Sequence, residues 1–138
     1  MRTITAAAVT GALLFALTSC FSGGDENGPA ADLTAQGMVD ELTELYPLPN
    51  GRDNTGSCDT GKDHPNDCRQ LITTDPVSVY ELKTDEAAEH WAKQMDGVAD
   101  NTAVQAGRFA LVWKAEYPSD QDAVDKMTAR AQEVAAGK

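Results

Sequence analysis

The stretch "TAVQAGRFALVWKAE", residues 102–116, decides how this chain folds. It is rich in β-branched and aromatic residues and is strand material. Phe109, Leu111, Trp113 and Ala115 point one way, and Ala110 and Val112 point the other. Residues 109–113 are therefore apolar on both faces, the pattern of a strand covered on both sides. Gly107 reads as a bulge or a turn, leaving open one long strand or two short ones.

Working outward, "QLITTD" (70–75) and "VSVYEL" (77–82) read as two further strands, or one kinked strand. Pro76 between them allows a bend or an edge but not a mid-sheet ladder. If Val77 and Val79 face the helices, Tyr80 alternates away from them, towards solvent or a partner. Three segments carry the helical period. Over 34–46, Ala35, Met38, Val39, Leu42, Leu45 and Tyr46 form a stripe, Thr34 caps it, and Pro47 and Pro49 stop it. Over 85–96, Ala87, Ala88, Trp91, Ala92 and Met95 share a face, with Thr84 as cap and Gly97 at the C′ position. Over about 120–136, Ala123, Val124, Met127, Ala131 and Val134 do the same, with Ser119 as cap.

The order predicts an α+β domain over residues 32–138: a small, mostly antiparallel sheet with helices packed on one face and one disulfide-stapled loop. Residues 47–69 form a long polar loop without regular structure. The length suits one domain. With 11 basic and 22 acidic residues, the net charge of −11 argues against nucleic acid and against lying flat on anionic lipid. It permits a basic protein partner or cations. The aromatics fall within apolar patterns and read as core.

The first thirty residues have a different character. Arg2 supplies a positive start, and Ala6–Leu17 is an apolar run of secretory-signal length. It ends in Leu17-Thr18-Ser19-Cys20. This order of an aliphatic residue, two small ones and a cysteine resembles the lipobox of bacterial lipoprotein precursors. The resemblance implies a signal peptide over 1–19, diacylglyceryl attachment to the sulfur of Cys20, and anchoring at the extracytoplasmic face of the cell membrane. Residues 20–31 then read as the lipidated N-terminus and a flexible tether, rich in Gly, Ser, Pro and charge.

Three cysteines are an odd number for an oxidising compartment. With Cys20 lipidated, Cys58 and Cys68 remain as one disulfide pair. The competing chemistry is a cation site in the 53–68 loop using Asp59, Asp63, His64 and Asp67. Their spacing matches neither the usual zinc pairs nor an alternate-residue calcium loop. No phosphate loop, serine elbow or cofactor motif occurs, so no cofactor and no catalytic residue are assigned. The sequence predicts a monomeric, non-catalytic binding domain, with Arg52, Lys62 and Tyr80 as partner-facing residues. A basic protein or envelope component is the expected partner. The alternatives are a cation-binding module and a cell-envelope hydrolase.

Overall fold

Phe109–Trp113 forms strand β5, buried at every position. Thr102–Ala106 forms β4, and the two pair antiparallel with Ala106 opposite Phe109. Gly107 takes φ +55° in the turn between them, so the stretch is two strands and a tight hairpin. The computed structural model describes residues 32–58, 68–117 and 120–138. The remaining elements are α1 (Ala35–Thr43), β1 (Arg52–Asp53), a single turn α2 (Thr55–Cys58), β2 (Cys68–Thr73), β3 (Val77–Leu82), α3 (Asp85–Met95) and α4 (Gln121–Ala135).

One five-stranded sheet runs in the order β1-β2-β3-β5-β4, antiparallel throughout. The fold is α+β, with the Cys58–Cys68 disulfide in place. The strand period of two divides its apolar residues between two faces. On one face Ile72, Val77, Val79, Phe109, Leu111 and Trp113 meet Met38 and Leu42 of α1 and Val124, Met127 and Ala131 of α4. Burying a side chain of this size contributes roughly 1.5–3 kcal/mol. On the other face Leu82 and Ala110 meet Ala88 and Ala92 of α3, with Tyr80 and Trp91 beside them. The expected packing on one face holds for α1 and α4 only. α3 covers the second face, because the alternation in β3 and β5 leaves Leu82 and Ala110 needing cover there.

The helix ends follow local chemistry. Thr34 Oγ1 accepts from the Gly37 N–H, and Thr84 Oγ1 from the Ala87 N–H. Asp85 and Glu86 in the first turn of α3 complement its dipole. The cap of α4 is Asp120, whose Oδ1 accepts from the Asp122 N–H at 3.0 Å. Ser119, the expected cap, lies outside the described residues. Gly97 takes φ +78° directly after α3, as its C′ position requires.

The loop expected over 47–69 is not wholly irregular. Arg52 and Asp53 add a fifth strand, pairing with Thr73 and Ile72. The Asn54 N–H donates to the Leu71 carbonyl at 2.8 Å, and the Leu71 N–H to Thr55 Oγ1 at 3.2 Å. Two strand residues and one helical turn are too short to leave a periodic signal.

Both edges of the sheet are blunted. β1 is only two residues long. On β4 the Ala103 N–H donates to Asp96 Oδ1 at 3.1 Å, and the Gln105 carbonyl accepts from Gln132 Nε2 at 3.5 Å. Side chains thus occupy main-chain groups that would otherwise invite another strand.

Candidate functional site

The disulfide joins the end of α2 to the start of β2, with Cα atoms 5.7 Å apart. It closes a loop whose Asp59, Lys62, Asp63, His64 and Asp67 lie outside the described residues. Asp53, just before α2, is already engaged: its Oδ1 accepts from the Thr55 N–H at 2.9 Å and from the Thr55 hydroxyl. Those bonds hold its carboxyl below the usual carboxylate range. Among the described residues, no group of three His, Cys, Asp or Glu gathers as a metal would need.

Arg52 is exposed on the edge strand β1. Tyr80 lies on β3, separated from it by β2. Its ring packs against Trp91 of α3 at 5.3 Å between centroids and 58° between planes. Burial pushes its phenol pKa up. The sequence left Tyr80 facing solvent or a partner, and α3 supplies the neighbour. The structure does not gather Arg52 and Tyr80 into one contact.

A second cluster forms where the chain enters the domain. The Arg108 guanidinium donates to the Leu33 carbonyl and pairs with Glu81 at 3.3 Å. Glu81 Oε2 accepts from the Ala35 N–H at 3.3 Å, and Gln70 Oε1 from the Gln36 N–H at 3.0 Å. Side chains from β2, β3 and the β4–β5 turn therefore hold residues 33–36 against one end of the sheet. The N-terminus of α1 favours the carboxylate there. We call this end the root. A groove of about 380 Å³ beside it is lined by Asp85, Gln105, Gly107 and Gln132. Gln105 Nε2 donates to the Asp85 and Gly107 carbonyls across it.

The opposite end, the far pole, has a different make-up. A concavity of about 580 Å³ is lined by Ala99, Asp100, Asn101, Lys114, Ala115 and Glu116. A smaller one of about 140 Å³ adjoins it, bounded by Thr102, Trp113, Tyr117 and Gln121. A third, of about 230 Å³, lies between Leu45 and Tyr46 after α1 and the start of α4. Ala99 and Asp100 hold φ of +52° and +59°, left-handed values that side chains other than glycine rarely take. The indole Nε1 of Trp113 is buried with no hydrogen-bond partner.

Sequence reasoning missed both ends. Glu81 left one signal: it shares the core-facing register of Val77 and Val79, where a charge needs a partner. The far pole left none beyond Gly97, because it is assembled from the tips of five separate elements.

The chain is a small disulfide-containing α+β domain on a five-stranded antiparallel sheet. No protein-family model, curated protein or solved structure matches it. Among the described residues, no helix is long and apolar enough to cross a membrane.

Proposed function

We propose that this protein is a lipid-anchored bacterial lipoprotein whose extracytoplasmic domain acts by binding rather than by catalysis. One observation carries the proposal. The sequence has three cysteines, and Cys58 and Cys68 are joined to each other. Cys20, at the end of the lipobox-like segment, is the cysteine left for a different chemistry. A thioether-linked diacylglyceryl group there would hold the domain at the membrane, since each buried methylene contributes about 0.8 kcal/mol. A disulfide in a small domain also fits an oxidising, extracytoplasmic compartment.

Metabolic labelling with a radioactive fatty acid in a bacterial host tests the anchor. The full chain is expected to take up label and to fractionate with membranes. Cys20→Ala is expected to lose both properties. Label retained by Cys20→Ala, or an unlabelled wild-type chain in the medium, would overturn the proposal.

A further inference from the structure

The root and the far pole differ in a way that assigns them different jobs. The chain arrives at the root, where Arg108 holds Leu33. β4 and β5 run away from it for five residues each, about 17 Å at 3.4 Å per residue. Exposed apolar side chains and non-glycine residues with positive φ gather at their other end. Among the described residues, the three exposed large hydrophobic side chains, Leu45, Val98 and Tyr117, follow α1, α3 and β5 respectively, all at the far pole. The left-handed Ala99 and Asp100 are there, and so is Asn50, at φ +59° and bonded to Asp75 in the β2–β3 connection. Two concavities sharing Asp100, Lys114 and Ala115, and a third at the start of α4, complete the surface. Strained backbone persists where surrounding structure holds it in place, and it gathers at ligand clamps. Tyr117 lines the smaller concavity and Val98 precedes Ala99 of the larger one, so each sets apolar surface beside a polar rim.

Charge selects the kind of partner. Asp100, Glu116 and Asp120 border this surface and are exposed. With Asp122, four carboxylates stand there against two lysines, Lys114 and Lys126. Lys114 Nζ is drawn onto the Thr74 carbonyl, and Lys126 is paired with Asp122 at 2.6 Å. A second copy of this acidic chain, or an anionic lipid surface, would meet like charge here.

We propose that the far pole docks a basic protein segment carrying aliphatic or aromatic side chains, with Val98 and Tyr117 as its apolar contacts. The proposal rests on the anchored-binding function above for its biological role. For its location it rests on geometry alone. With the chain rooted at Leu33, the surface that binds is the one turned away from the tether.

The test is a nuclear magnetic resonance titration of the full chain, isotope-labelled and held in detergent. The probe is a short peptide of alternating lysine and leucine, with a glutamate–leucine peptide as counterpart. Amide shifts are expected over 44–46, 97–102 and 114–117 with the basic probe, weakening with salt. V98S/Y117S is expected to bind it about ten-fold less tightly while keeping its dispersed spectrum. Three results would each overturn the proposal: shifts centred on 52–58 or on the Gly107 turn, unchanged affinity in the variant, or tighter binding of the acidic peptide. The readout does not use the lipid, so a failed fatty-acid label at Cys20 would sink the anchor and leave this result standing or falling by itself.

Discussion

Replacing Arg108 with methionine tests the root of the domain. The methionine keeps much of the arginine stem's volume and removes the guanidinium. Glu81 is then left with its side chain 7% exposed and no counterion, and the Leu33 carbonyl loses a donor. Both charged side chains are well below one-third exposed, at 13% and 7%, so solvent screening is limited. Breaking a buried pair by removing one partner costs about 3–5 kcal/mol, because the survivor stays charged and desolvated. A domain of this size has about 5–15 kcal/mol to lose. At roughly 4–8 °C per kcal/mol, the melting temperature of R108M is expected to fall by at least about 12 °C. The companion variant E81L/R108M removes both charges and leaves, among the described residues, the Ala35 N–H and Leu33 carbonyl without these partners. That costs about 1 kcal/mol for each group, so the double variant is expected to be more stable than R108M. Urea unfolding followed by tryptophan fluorescence gives both values, and the full double-mutant cycle gives the coupling. A cost for R108M under about 1 kcal/mol, or a double variant as unstable as the single, would refute this account of the pair.

Reducing the disulfide removes a constraint across 10 residues of sequence separation. C58A/C68A is expected to lose about 2–3 kcal/mol by urea unfolding, chiefly through a freer unfolded chain; identical midpoints with and without reductant would count against it. Tyr80 gives a pH dependence. Burial raises its folded-state pKa above the ordinary 10.0, because the phenolate is disfavoured beside Trp91. Its contribution to stability is therefore complete below the unfolded value and is lost as pH rises through the folded one. Difference titration at 295 nm between the wild type and Y80F should show this tyrosine ionising above 10.0; a transition at or below that value would exclude the burial.

The helices were legible in the sequence because each buries a single stripe, and a stripe is periodic. Met38, Val39 and Leu42 lie in the core as their spacing predicts. The stripe misleads only at its end: α1 stops at Thr43, and Leu45, on the same period, is exposed. There the N–H groups of Leu45 and Tyr46 both turn back to the Leu42 carbonyl, tightening the chain before Pro47. β3 and β5 were legible because both of their faces are apolar, but that same feature required a helix on each side. Composition shows that two faces must be covered, and only the path of the chain shows which helix covers which. The surfaces at the two ends were not legible for a different reason. Leu33 and Arg108 stand 75 residues apart, and no local pattern links them.

Asp96 and Gln132 also set a limit on what this domain can become. A β-sheet grows by offering its outermost peptide groups to the next chain, and that growth is the first step towards a fibre. Here two of those groups are already spoken for by the protein's own carboxylate and amide, and the opposite border is only two residues long. Wherever copies are crowded together at high local density, neighbours can touch without templating one another. The sheet is finished at five strands, and meetings between molecules are left to side chains.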